Sequence, residues 1–209
     1  MTSVSQSRSC RLEPLTLAQV DSVVRLHLNA FPDYFLSCLG PRFLREFYVS
    51  FLMDPVAVAF VARDEHAEVV GAVVGPLDPR GFFSRLLRRR WWAFCQASLG
   101  TALNRPSTVR RLIRALAYRG DVPEGPVRAL LSSVAVSPSA QGRGVGKTLV
   151  RRWLAEAGRR SASGCYLATD ADNNDAVNRF YRSIGWKLES TYTTPERRKM
   201  NRYIYDFGH

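Results

Sequence analysis

The stretch from Val134 to Lys147, VAVSPSAQGRGVGK, carries the most information in the chain. It opens as an apolar strand and passes through a proline-broken turn to glycines at 142, 144 and 146. An amphipathic helical run, GVGKTLVRRWLAEAGRR, follows. Glycines so spaced let the backbone come close to a ligand, and the first N–H groups of a helix have no partners within it. An anion, most often a phosphate, is the natural occupant of such a turn.

Spacing discriminates between nucleotide-binding loops. A Walker A loop needs glycine five residues before the Gly146-Lys147-Thr148 triplet, and Gln141 stands there. A dinucleotide fingerprint needs GxGxxG, whereas this turn reads GxGxG and no acidic ribose clamp stands out about twenty residues on. The turn instead reads Gln141-x-x-Gly144-x-Gly146. Downstream lies Asn174-x-x-Val177-x-x-Phe180-Tyr181-x-x-x-Gly185-Trp186. The first resembles the Q/R-x-x-G-x-G/A pyrophosphate loop of the GNAT superfamily of acyl-CoA-dependent N-acyltransferases, and the second resembles that family's N-x-x-A-x-x-hydrophobic-Y-x-x-x-G-F motif. Two motifs in the right order, about thirty residues apart, are more specific than either alone. The likeness is close over residues 126–190 and rests on element order elsewhere. Departures are Val177 for the usual small residue, Trp186 for phenylalanine, and Thr169 where many family members carry a catalytic glutamate.

The resemblance implies an α/β fold, a GNAT-like mixed central sheet flanked by helices, and a co-substrate, acetyl-CoA, with no metal. It implies that the strand ending at Val134, Ala135 and Val136 splays from CYLATD (165–170) and takes the amide-rich pantetheine arm as a substitute strand. The diphosphate then rests on Gly142, Arg143, Gly144, Val145, Gly146 and Lys147, with Gln141 opening the loop and Asn174 bonding the cofactor arm. Thioester polarisation falls to the Val136 N–H. Tyr181, placed near the sulfur by the family pattern, is the expected general acid; the alternative is a packed tyrosine satisfied locally. The base is open between Asp170, which could instead help cap the next helix, His27 on the acceptor side, and a base acting through water. A lysine-like amine is neutral in only about one molecule in 2,500 at pH 7, so its proton must be removed or excluded.

Outward from this region, periodicity predicts a strand at 9–15, a helix from Thr16 stopped by Pro32, and a helix over 41–52. Two apolar strands follow in VAVAFVARD and EVVGAVVGPLD. PVRALLSSVAVSP reads as one buried strand, CYLATD as a strand, NDAVNRFYRSIGW as a helix, and WKLESTYTT and MNRYIYDFG as closing strands. With 209 residues and 46% hydrophobic content the chain fits one acyltransferase domain, 1–209. Four cysteines, Cys10, Cys38, Cys95 and Cys165, lack metal or disulfide spacing and read as buried apolar residues. No secretory h-region or spanning run is visible, so a cytoplasmic location is expected.

Most of the +12 net charge sits in residues 80–121, read as a basic helical insertion. Arginines at 80, 85, 88, 89, 90, 105, 110, 111, 114 and 119 alternate with aromatics there, without an Asp or Glu from Arg80 to Arg119. The mixture suits an anionic membrane surface or a phosphate-bearing ligand, with nucleic acid least expected; the plain alternative is a solvated hairpin. If it flanks the acceptor mouth, polyamines are disfavoured. A looser likeness of FPDYFLSCLGPRFLREFY and this insertion to bacterial surface-polysaccharide proteins makes an amino sugar on a nucleotide or lipid diphosphate the first acceptor candidate. Protein N-terminal or lysine acetylation, and non-catalytic membrane or nucleic-acid binding on the same fold, are the alternatives. Oligomeric state is not legible.

Overall fold

A computed structural model describes residues 10–32, 34–82, 128–195 and 197–208, together with Arg85, Leu86, Arg88 and Trp92. Strand β1 (Arg11–Pro14) leads through a 3-10 turn at Leu17–Gln19 into helix α1 (Val20–Ala30), short helix α2 (Phe35–Cys38) and helix α3 (Pro41–Met53). Strands β2 (Ala57–Arg63), β3 (Val69–Pro76), β4 (Ala129–Leu130) and β5 (Ser133–Val136) follow. Helix α4 (Val145–Arg159), strand β6 (Gly164–Asp170), helix α5 (Asp175–Ser183), and strands β7 (Lys187–Thr193) and β8 (Lys199–Asp206) complete the order. The mixed α/β class read from the sequence is the observed one.

Local chemistry accounts for the boundaries. Thr16 and Gln19 close a reciprocal capping box at the first turn. Pro41 occupies the first turn of α3, where its missing N–H costs nothing. Helix α4 points Val145, Leu149, Val150, Trp153, Leu154 and Ala157 inward, a stripe at helical spacing. Trp153 is fully buried, and its indole N–H donates to Val58 O at 3.3 Å.

Two four-stranded sheets result, ordered β1-β2-β3-β5 and β4-β6-β8-β7. The first is antiparallel throughout; in the second, β4 and β6 run parallel and the other pairs antiparallel. One apolar core lies between the first sheet and α1 and α3, with Val24, Phe43, Tyr48, Phe51, Val74 and Ala135 among its members. The other lies beneath α4 and α5 and includes Val73, Leu149, Trp153, Leu167, Tyr181 and Tyr203.

The single strand expected over 126–138 is two strands in different sheets. Ala129 and Leu130 pair with Cys165 and Tyr166, and the Leu131 N–H donates to Tyr166 O at 3.0 Å. One residue later the Ser132 N–H donates to Val74 O at 3.0 Å, and β5 runs along β3. At this handover β3 and β4 pass so closely that a Cβ on Gly75 would sit 2.0 Å from Leu130 O. Helix α2 was not anticipated. Of the basic insertion, Arg80 and Gly81 form a turn and Phe82, Arg85, Leu86, Arg88 and Trp92 are helical, Phe82 being buried against Phe51; the rest of 80–121 lies outside the described residues. Cys165 is buried while Cys10 and Cys38 are partly exposed; Cys95 lies outside the described residues. Among the described residues no helix is long and apolar enough to cross a membrane, and no His, Cys, Asp or Glu group could hold a metal ion.

Candidate active site

The change of sheet at Ser132 opens a wedge. Strand β5 pairs with β3, while β6 pairs with β4 and β8, so nothing among the described residues pairs β5 to β6 beyond the handover. Antiparallel partners alternate along a ladder. The Ser137 N–H donates to Val70 O at 2.9 Å, so Ser137 and Ala135 face β3 while Val134 and Val136 turn their N–H and C=O groups into the wedge. Unpaired backbone groups in a half-buried strand need a partner, and an amide-bearing arm supplies one.

The loop at the end of β5 is shaped for an anion. After a 3-10 turn at Pro138–Ala140, Gly142 adopts φ +73° and Gly144 φ +79°, a left-handed conformation that strains other residues. Gly144 caps α4 without a side-chain bond to the helix. The first helical N–H groups, from Val145 to Lys147, therefore point outward beside Arg143 and Lys147. A Cβ on Gly142 or Gly144 would meet nothing within 4 Å, leaving the approach to these amides open. Gly146 lies between Val136 and Phe180: its Cβ would be 3.5 Å from Val136 Cγ2 and 3.6 Å from the Phe180 ring. Loop, wedge and helix α5 thus meet at one point.

Tyr181 follows Phe180 into that junction. It is 9% exposed, with its ring against Phe180, Trp186 and Tyr203 at 5.1, 5.8 and 6.2 Å. Burial pushes its hydroxyl well above the usual tyrosine range, so it holds its proton at neutral pH. No hydrogen bond to another described residue occupies that hydroxyl.

A buried amide network holds α5 in place. The Asn178 amide donates to Asp170 O at 2.9 Å and Asn174 O at 2.8 Å, and its oxygen accepts from Asn201 Nδ2 and the Tyr203 hydroxyl, both at 2.9 Å. All four bonding positions of the amide are used. Asn174, the residue just before α5, donates to Thr169 Oγ1 at 2.8 Å and Asp170 O at 3.1 Å. Its N–H₂ therefore braces β6, leaving its side-chain oxygen as the atom for a cofactor arm.

The two candidate bases fall in unlike surroundings. Asp170 is gripped by the Arg198 guanidinium, with Nη2 at 2.6 and 2.7 Å from the two carboxylate oxygens and Nε at 3.1 Å from the first. His27 is 1% exposed, its Nδ1 2.7 Å from the Tyr48 hydroxyl and its Nε2 buried without a partner. Phe31 and Tyr34 rings lie 5.1 and 6.3 Å away, and burial lowers its pKa to about 4, so it is neutral at pH 7. Sequence reasoning did not find Tyr48, Arg198 or the Asn178 network, since the bonds from Tyr48 to His27, from Arg198 to Asp170, and from Asn201 and Tyr203 to Asn178 each span twenty or more residues with no local pattern.

The fold and the loop meet in the known proteins they resemble. The Acetyltransferase (GNAT) family matches residues 20–186 of the chain. The protein belongs to the GNAT acetyltransferase family. As such it is an acyl-CoA-dependent transferase that moves an acetyl group from acetyl-CoA to an amine. Among solved structures this GNAT protein is similar to SsHAT, with a TM-score of 0.69 and 19% identity over 94% of this chain and 98% of the other. It is also similar to the ribosomal-protein-S18-alanine N-acetyltransferase from Escherichia coli (TM-score 0.57, 13% identity, 96% of each chain). The spermidine/spermine N-acetyltransferase SpeG from Vibrio cholerae superposes with a TM-score of 0.56 at 15% identity over 95% of each chain. At such identities the likeness concerns the fold. No curated protein matches the sequence.

Proposed function

We propose that the chain is an N-acetyltransferase for a primary amine, with acetyl-CoA lying along the wedge between β5 and β6. The observation that carries this reading is the unpaired edge of Val134 and Val136 running into the open, glycine-shaped loop at 142–147. The pantetheine amides bond Val134 and Val136, and the diphosphate takes the amides from Gly142 to Lys147 with Arg143, Gln141 opening the turn. The thioester oxygen sits against the Val136 N–H, which stabilises the charge that develops as the amine attacks. Tyr181, protonated and without a competing hydrogen bond, gives its proton to the departing sulfur.

Asp170 is a structural residue in this scheme. Its carboxylate is committed to Arg198 and its carbonyl to Asn174 and Asn178, so it anchors the end of β6 instead of accepting a proton. His27, enclosed in the core with its affinity for protons depressed, does not take the amine's proton either. That proton leaves through water. For the acceptor, the +10 contributed by the arginines from 80 to 119 favours an amine on a phosphate-bearing molecule, an amino sugar on a diphosphate foremost.

Calorimetric titration with acetyl-CoA tests the reading. Micromolar binding that is lost in a folded Gly144→Glu variant, which strains the left-handed cap and sets a carboxylate where the diphosphate belongs, supports it. A well-folded wild-type protein that binds no acetyl-CoA refutes it.

A further inference from the structure

The acetyl-CoA site occupies one end of strand β3, and the other end carries a different chemistry. Val70 and Gly71 lie beside Ser137 and Val136, next to the diphosphate loop, while the Leu77 N–H donates to Val56 O at 2.7 Å at the far end. A strand rises about 3.3 Å per residue, so the two ends stand about 20 Å apart. The basic segment leaves from the far end, and its root is firmly built. Asp78 Oδ1 accepts from the Arg80 N–H at 2.9 Å, and the Arg85 N–H donates to Gly81 O at 2.8 Å, opening the helix. Phe82 and Leu86, four residues apart on one side of that helix, are buried, the Phe82 ring 5.1 Å from Phe51. Arg85 Nε holds Asp54 Oδ2 at 3.3 Å. Arg88 and Trp92, also four apart, are exposed, Trp92 by 64%. The helix thus leaves the body with its apolar side fixed inward and a guanidinium and an indole outward.

Phe51 and Asp54, which hold this root, also line an open groove of about 350 Å³ between the end of α3, strand β2 and helix α4. Pro14, Leu52 and Val58 give it apolar walls, and the last turns of α4 set guanidinium groups along it. Arg152 lies over the Phe60 ring at 5.0 Å, and Arg160, just past the helix, donates to Pro55 O at 3.1 Å. Glu156 has both oxygens on Arg159 and Arg160, which hold its pKa down to about 2. Three arginines against one carboxylate leave this stretch positive. Met53, the last residue of α3, is 64% exposed. Arginines and large apolar side chains are therefore interleaved at this end of the molecule, as they are along the sequence from 80 to 119, which holds ten arginines and no Asp or Glu.

We propose that this end docks on a bilayer surface containing anionic lipid. Trp92 and Met53 enter the headgroup layer, the arginines meet lipid phosphates, and the acetyl-CoA loop at the opposite end of β3 faces water. The inference goes beyond acetyl transfer and does not depend on it. A bilayer presents phosphates directly above an apolar layer, within the length of one indole ring, whereas a nucleic-acid duplex offers the same charge without an apolar layer beneath it. An arginine and a tryptophan sharing one side of a helix match the bilayer. Each arginine near an anionic surface tightens binding about five-fold, over a range of about one Debye length. The contact lies on the membrane, since no described helix is long and apolar enough to cross it.

The test is sedimentation of the full chain with vesicles of phosphatidylcholine alone or mixed with an equal part of phosphatidylglycerol. At about 0.1 M salt the anionic vesicles are expected to bind about 100-fold more tightly. That preference should collapse near about 1 M salt, where the Debye length shrinks from about 10 to about 3 Å. Arg88→Gln combined with Arg152→Gln should weaken binding to anionic vesicles about 25-fold, and Trp92→Ala about ten-fold. All three positions are exposed, so both variants should melt with the wild type and keep its calorimetric acetyl-CoA affinity. Saturating acetyl-CoA should leave vesicle binding unchanged. Equal binding to neutral and anionic vesicles, undiminished binding by either variant, tighter binding to duplex DNA than to anionic vesicles at the same salt, or displacement by acetyl-CoA overturns the proposal. Protein that binds anionic vesicles as expected but takes up no acetyl-CoA supports the docking surface and refutes the acetyltransferase reading instead.

Discussion

Gly75→Ala tests the handover between the sheets more directly than any change within the wedge. The added Cβ would lie 2.0 Å from Leu130 O and 2.8 Å from Trp153 Cζ2. The first contact is with backbone, which cannot swing aside, so β3 and β4 must separate by more than an ångström. Overpacking of this kind costs about 3 kcal/mol. An unfolding entropy near 2.1 cal/mol/K per residue over 209 residues is about 0.44 kcal/mol/K, so the melting temperature falls by about 7 °C. Gly142→Ala is the control: its Cβ meets nothing, and only its φ of +73° is strained, at about 1–2 kcal/mol, or about 2–5 °C. Differential scanning calorimetry of both variants, with acetyl-CoA titrations alongside, reads the contrast. Gly75→Ala should lose more stability, because the fault lies at the joint of the fold. Gly75→Ala melting no lower than Gly142→Ala would refute the close approach of β3 to Leu130 on which the wedge depends.

Three other outcomes are expected. Tyr181→Phe should lower kcat by about 10²- to 10⁴-fold with little change in acetyl-CoA affinity, and an unchanged kcat removes it as the acid. Asp170→Asn should depress the melting temperature through loss of the Arg198 pair yet leave the shape of the kcat pH profile intact; disappearance of the acidic limb would instead make Asp170 the base. His27 contributes a pH dependence of folding whose sign follows from its lowered pKa. Unfolded histidine takes up a proton near 6.5 and the folded one only near 4, so the unfolded state binds more protons between those values. Stability is complete above about pH 6.5 and lost as pH falls toward 4. In urea melts, His27→Gln should flatten that slope by one proton, whatever it does to stability at neutral pH.

The loop and the helix behind it were legible because their information is local: glycines, a proline and a helical stripe within thirty residues. The strand at 126–138 was misread as continuous because its two halves are equally apolar, and only their partners, Tyr166 for one and Val74 for the other, tell them apart. His27 was noticed as a titratable group on a helix, but its burial depends on Phe31, Tyr34 and Tyr48 closing around it. The reading of Asp170 as a base met a similar limit. Arg198, 28 residues on and in a turn with no pattern of its own, takes the carboxylate that proximity to the motif made attractive.

The transfer of one chain from sheet to sheet also makes the molecule a pair of jaws. Residues 129–133 are the shared pivot, and beyond them β5 and β6 have no hydrogen bonds between them to break. Spreading the two sheets at the loop end bends only a few peptides but also strains the core that Val73 shares with Leu167 and Tyr203, while the pivot stays clamped by Gly75 against Leu130 and by Trp153 against Val58. Before ligand arrives the amides of Val134 and Val136 should exchange with deuterated water quickly, and those of Leu131 and Ser132, two residues back, slowly. A ligand that bridges the jaws would erase that gradient and stiffen both sheets into one body.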